Sequence, residues 1–254
     1  MSHSRVIPFC FLTLSVFPSI GSAQSKNGDR SLVDSSSGAV ISVHELSIPD
    51  KAKDAYNKGV RRLNVKDWAA SVPEFQRAIK SFPGFYEAYD MLGVAQLAMQ
   101  SWKDAESAFR KSIDLSGGRY ASPHFGMGLI LCIDYKQFPE AEALIRAGLD
   151  LDPADASGHF ALAWVLYTVG RLPEAEQSTR EAVRYKPAFE EPYLLLAEIH
   201  LRQNSWAAAI EDLNFYLKLD PDSPRSARAR AARADAQRAL AHETANPVTA
   251  QSIP

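Results

Sequence analysis

Three aspartates, Asp150, Asp152 and Asp155, crowd the stretch DLDPADASG, and two histidines, His124 and His159, stand 35 residues apart. Carboxylates at close spacing are what a calcium loop uses, and paired imidazoles are what a zinc site uses. Neither set completes that chemistry. A calcium loop needs a bidentate glutamate at its twelfth position, which here is Ala161. Two imidazoles hold zinc weakly without a third Cys, His or carboxylate. The aspartates therefore read as turn residues and the histidines as packing groups. Cys132, between Leu131 and Ile133, reads as a small buried apolar residue rather than a reactive thiol. A phosphate-cradling Gly loop ending in Lys-Ser/Thr, Gly-x-Ser-x-Gly, His-Glu-x-x-His and Cys-x-x-Cys are all missing from the sequence. The residues point to no enzyme, no metal and no cofactor.

Chemistry aside, something must organise the chain. Its 254 residues, 46% of them apolar, suffice for one sizeable folded unit or two small ones. The formal charge of −2 argues for neither a nucleic-acid nor a membrane partner. Leucine and alanine abound while β-branched runs and Asn-Gly turns are scarce, which favours an all-α class. Residues 1–23 carry one early cation, Arg5, an apolar run from Val6 to about Ile20, and small residues at Gly21 and Ala23. That is the layout of a secretory signal, with cleavage expected between Ala23 and Gln24 and export to the periplasm or beyond the cell. A retained anchor is the alternative, although Pro8 and Pro18 interrupt a run already short for spanning. Cleavage would leave Cys132 without an internal disulfide partner, so an exported chain would rest on its core alone. Residues 24–46, polar and Ser-rich, read as a disordered tether.

Beyond the tether the sequence repeats itself. Gly59, Gly93, Gly128, Ala163 and Ala197 are separated by 34, 35, 35 and 34 residues, and Pro153, Pro187 and Pro221 lie 34 apart. A fixed interval of this size marks a helical repeat array. Tyr89, Leu92, Gly93, Ala105 and Phe109 recur as His159, Leu162, Ala163, Ala175 and Thr179, then as Tyr193, Leu196, Ala197, Ala209 and Leu213. On these residues the chain resembles the tetratricopeptide repeat family. The resemblance implies an all-α, right-handed superhelical solenoid of about five helix pairs, over residues 47–222, with units near 52–85, 86–119, 121–154, 156–189 and 190–223. Small residues fall where paired backbones cross, and Trp68, Trp102, Phe138, Leu172 and Trp206 fill the wedge before each second helix. Pro139 and Pro173 suit the first turn of such helices. Pro73 falls inside one, which should start late or bend there. An extra residue in LCIDYKQF should loosen the third unit's turn. Ser223 before Pro224 signals the start of an Ala/Arg-rich capping helix over residues 223–242, with a polar outer face and a frayed tail over 243–254.

The resemblance also implies a concave surface lined by the first helices. Carried over by position, it comprises Tyr56, Val60, Asp90, Val94, Phe125, Leu129, Phe160, Trp164, Tyr167 and Leu194, with Leu63, Glu87, Leu97, Glu191 and Glu198 beside them. Aromatics in such a groove are anchors for another protein or a peptide; the plainer alternative is that they are core. The Lys/Asn clamp by which some members grip a C-terminal carboxylate is replaced here by Tyr56, Val60 and Met91. The function expected is non-enzymatic protein or peptide binding. The second reading is self-association or a structural envelope role through the convex face or the array ends.

Overall fold

A computed structural model describes residues 31–33 and 40–245. The expected signal segment, much of the tether and the end of the tail lie outside the described residues. Strands β1 (Ser31–Val33) and β2 (Val40–Ser42) pair antiparallel, and β2 runs into a short helix, α1 (Val43–Ser47). Ordered secondary structure therefore begins before residue 47.

The rest is helical. Paired helices follow in order: α2 (Asp50–Asn64) and α3 (Trp68–Ser81), α4 (Tyr86–Ala98) and α5 (Trp102–Ser116), α6 (Ser122–Ile133) and α7 (Phe138–Leu151). Then come α8 (Ala156–Thr168), α9 (Leu172–Tyr185), α10 (Glu190–Arg202), α11 (Trp206–Leu219) and the terminal α12 (Ser226–Ala245). This is an all-α helical repeat fold closed by a C-terminal helix. The described residues fall into two compact units, one ending at Val165 and one starting at Leu166.

In the first unit α2 packs on α3, α4 on α5 and α6 on α7, and α3 on α4 and α5 on α6 in turn. The recurring small residues mark these crossings. A Cβ on Gly59 would meet Phe75 at 2.6 Å, one on Gly93 would meet Phe109 at 2.7 Å, and one on Gly128 would meet Ile145 at 2.4 Å. Phe75, Phe109 and Ile145 are fully buried, so they have nowhere to retreat, and overpacking here costs about 1–3 kcal/mol. Ile48, Ala52, Ala55, Ala78, Phe85 and Ala88 form the core at the unit's start.

Each turn between partners uses a left-handed residue two positions before the wedge side chain. Lys66, Gln100 and Lys136 have φ of 60°, 61° and 57°, and in the second unit Gly170 has 83° and Asn204 has 56°. At Gln100 the turn closes through Gln100 N to Leu97 O and Ser101 N to Gln96 O, both 2.9 Å. This conformation costs a residue with a Cβ about 1 kcal/mol, so Gln100→Gly, at an exposed site, should stabilise the fold by about 0.5–1 kcal/mol. A thermal melt that falls instead would show that the turn is unstrained. The extra residue of the third unit widens the closing bond, which runs from Gln137 N to Leu131 O at 2.9 Å, one residue further than in the other turns, while Lys136 keeps the left-handed position and Phe138 opens α7.

Pro73 does not delay its helix. It sits inside α3, which begins at Trp68. The ring leaves the Ala69 carbonyl without the N–H of residue 73. The expected start of the last helix also moves, from Ser223 to Ser226. Ser226 is buried, its hydroxyl donating to Asp220 O at 2.5 Å, while Ser223 bonds Tyr216 at 2.6 Å.

In the second unit α9 packs on α10, α10 on α11 and α11 on α12. Ala229, Ala232 and Ala236 on α12 close over Ala209, Leu213 and Tyr216 on α11.

Candidate functional site

Of the aspartates and histidines singled out in the sequence, Asp150 lies inside α7, and the others serve the turns. Asp155 Oδ1 accepts the Gly158 N–H at 2.8 Å, capping α8, and Asp152 Oδ1 accepts Ala154 N–H at 3.3 Å. His124 Nδ1 lies 3.0 Å from Tyr120 O, and His159 Nε2 lies 2.9 Å from Pro153 O. Tyr193, in the same repeat position as His159, donates its hydroxyl to Pro187 O at 3.1 Å. A polar tip that reaches back to the preceding turn is thus the common role of this position. Cys132 is buried. No group of three metal-ligating side chains occurs among the described residues.

The residues expected to line a groove separate into two classes. Tyr56, Val60 and Trp164 are partly exposed. Asp90, Val94, Phe125, Leu129 and Phe160 in the first unit, and Tyr167 and Leu194 in the second, are buried. Phe125 and Phe160, each 1% exposed, correct the expectation of an aromatic docking face. Phe125 fills the space where Gly148 and Gly158 lack a Cβ: one built there would come within 2.5 Å of its ring. Two glycines make a socket for this ring, which is therefore structural.

Asp90 is the unexpected member. It is wholly buried, yet neither carboxyl oxygen has a hydrogen-bond partner, and the Ser122 hydroxyl near it has none either. The groups that act on its charge are Tyr56 from α2, Glu87 one turn earlier on α4, Tyr120 just before α6, Ser122 at the start of α6, and Asp155 before α8. Burial pushes its pKa up to about 7; the nearby Ser122 and Tyr120 hydroxyls draw it down without reaching regular hydrogen-bond geometry, and Asp155 and Glu87 add to the rise. Tyr56 is driven well above an ordinary phenol by burial and then by the charges of Asp90 and Glu87. An aromatic ladder runs alongside. His44 of α1 stacks on Tyr86 at 4.2 Å between centroids and reaches Glu87 at 3.0 Å, and Tyr86 lies 5.2 Å from Tyr120. The sequence did carry a signal for this group: Tyr86 and Tyr120 are 34 residues apart, one repeat interval.

The second unit handles its acids differently. Glu198 accepts the Tyr167 hydroxyl at 3.1 Å and faces Arg202 at 3.5 Å, and that guanidinium lies 4.3 Å from the centre of the Tyr167 ring. Glu191 faces Arg225 at 3.6 Å. His200, which sequence reasoning did not single out, joins three helices: Nδ1 lies 2.6 Å from Asp212 on α11 and Nε2 3.4 Å from Glu176 on α9. The Asp212 hydrogen bond raises its pKa against the opposing effect of burial. Glu176 also meets Arg180 and Gln203. The cluster ties α9, α10 and α11 together.

Comparison with known proteins agrees with this architecture. A tetratricopeptide repeat family model matches residues 56–120, 136–188 and 180–224. The chain is 24% identical over 181 residues to mouse tetratricopeptide repeat protein 16, and 35% identical over 77 residues to mouse protein O-mannosyl-transferase TMTC1. These alignments take in 69% and 30% of this chain but only 24% and 8% of the relatives' lengths. Among solved structures, TTC0263, a tetratricopeptide repeat protein of Thermus thermophilus, superposes with a TM-score of 0.64 at 20% identity, over 73% of this chain and 98% of that one. Repeat interval, helix pairs, small residues at the crossings and the family match converge, and the chain belongs to the tetratricopeptide repeat family.

Proposed function

We propose that the chain is an exported, non-catalytic scaffold that binds another protein or a peptide through the first-helix face of its repeats. The observation that carries this is the division of labour on α2 and α8. One side of α2 is occupied by Ala52, Ala55, Gly59 and Leu63, all buried, while Tyr56 and Val60 stay partly exposed. Trp164 on α8 is likewise partly exposed between buried Ala163 and Val165. Large side chains held in place by packed helices bind with little ordering cost. Selection of a displayed random-peptide library on the full chain tests the reading. Peptides should be enriched, and Trp164→Ala should weaken them by about 2 kcal/mol with little change in melting temperature. A variant that binds normally but melts far earlier would make Trp164 a core residue. Export is supported by the apolar run before Gly21 and Ala23. N-terminal sequencing of protein recovered outside the cytoplasm should start at or near Gln24; retention of Met1 would remove that part.

A second reading is self-association, favoured by apolar side chains left exposed near the ends of the second helices. Leu115 and Leu151 in the first unit, and Tyr185 and Leu219 in the second, recur at about the repeat interval. Sedimentation that rises in mass with concentration would favour it.

A further inference from the structure

His200 meets an acid at each of its two ring nitrogens, which fixes how many protons the cluster must hold. Nδ1 lies 2.6 Å from Asp212 Oδ2 on α11, and Nε2 lies 3.4 Å from Glu176 Oε1 on α9. An ionised carboxylate only accepts hydrogen bonds, whereas a neutral imidazole carries one N–H and one bare lone pair. Two contacts therefore need two protons, and a neutral ring between two carboxylates supplies one. The second makes the ring an imidazolium or, in the equivalent form, sits on Asp212. Without it, one ring nitrogen points a lone pair at a carboxylate oxygen. His200 and Asp212 are buried, so the surroundings screen that repulsion poorly.

We propose that this second proton is a pH-operated latch on the joint between α9 and α10, closed while the His200 cluster holds it and loosened when it leaves. The Asp212 contact is the shorter one and lies within one helix pair, α10 and α11, so the remaining N–H stays there. The Glu176 contact is the one given up, and it ties α10 to the helix before it. The charges around the ring set the direction. Glu176 on α9 is paired with Arg180 at 2.5 Å, and Arg180, Glu211 on α11 and Tyr193 on α10 act on or respond to the Asp212 charge. The Asp212 hydrogen bond, with Glu176 in support, raises the His200 pKa against the effect of burial. With the unfolded value near 6.5, the stabilisation is complete below about pH 6.5 and is lost as pH rises through the folded value. Gln203 also donates to Glu176, at 3.4 Å, and does not titrate. The joint therefore loosens rather than separates, whatever the array binds.

Two measurements on the full chain test the latch. In nitrogen-15 imidazole spectra taken from about pH 5.5 to about pH 9, His200 should keep both ring nitrogens protonated after the exposed His242 has lost its second proton. A His200 signal that titrates with His242 or before it would overturn the proposal. In hydrogen exchange, corrected for its intrinsic pH dependence, the amides of α9 and α10 should open at least about tenfold more readily at about pH 8.5 than at about pH 6. That is the size expected for one lost charge-assisted hydrogen bond. Glu176→Gln is the deciding variant, because its amide accepts from an N–H or donates to a bare ring nitrogen equally well. Its exchange should change by less than about twofold over the same range, and that of His200→Gln likewise. Asp90 is present in all three chains and cancels from the comparison. A wild-type chain with no pH response, or a response that persists in Glu176→Gln, would overturn the proposal. Should circular dichroism show a variant unfolded, the wild-type imidazole titration decides alone.

Discussion

A chain ending at Pro221 should melt far below the full chain and aggregate at concentrations where the full chain stays in solution. The sequence reads this segment as an Ala/Arg-rich capping helix. Its buried alanines are what such a role requires. Ala229 and Ala232 are fully buried and Ala236 nearly so, and all three lie against Ala209, Leu213 and Tyr216, which are themselves buried. Removing α12 turns Leu213 and Tyr216 into a solvent-facing end. Exposing two side chains of this size costs about 3–6 kcal/mol at about 1.5–3 each, a large fraction of what holds a domain together. Polar losses add to it: Tyr216 loses the Ser223 hydroxyl and Glu191 loses Arg225. A repeat array passes such damage to its nearest neighbours, so the fifth helix pair should open first. Ala232→Glu in the intact chain should mimic the truncation, because it buries a charge at the same contact. An unchanged melt for the truncated chain would make α12 a tail.

The repeat made the helix pairs legible, because the interval reports a geometric unit and each small residue reports a crossing. Gly93 could be assigned its place without knowing that Phe109 fills it. The turns were less legible. Lys66, Gln100 and Lys136 occupy left-handed positions that composition alone would assign to Gly or Asn, and only Gly170 and Asn204 follow that rule. Pro73 left two outcomes open in the sequence, a late start or a bend, and α3 starts at Trp68 with the proline inside it, where the ring forgoes one i→i−4 bond. The binding face was the hardest to read. Slot position says which way a side chain points from its own helix, but not what the next repeat places against it. Gly148 and Gly158 convert Phe125 from a candidate anchor into a core ring. Asp90 showed the opposite failure: its position was legible as groove, whereas the tyrosines and acids that act on it come from α2, α4 and the turns before α6 and α8, which only the fold brings together.

That same carboxyl makes stability depend on pH in a direction opposite to most aspartates. With its folded pKa raised to about 7 and its unfolded value near 4, Asp90 is protonated in both states below about pH 4 and contributes nothing there. Between about pH 4 and pH 7 the folded chain keeps a proton that the unfolded chain releases, so stability falls as pH rises across this window. Above about pH 7 the loss is complete, on the order of a few kcal/mol. Asp155, raised by burial, adds in the same direction, whereas Glu106, lowered mainly by its hydrogen bond from Tyr135, works against it. The wild-type profile therefore mixes contributions, and the informative quantity is the difference between wild type and Asp90→Asn. That variant removes the ionisation while keeping the volume. Urea unfolding should find it within about 1 kcal/mol of wild type at pH 4.5 and more stable by about 2–3 kcal/mol at pH 8. A difference that does not vary with pH would mean that Asp90 ionises freely in the folded chain, and that keeping an acid at the centre of the first unit costs the protein nothing.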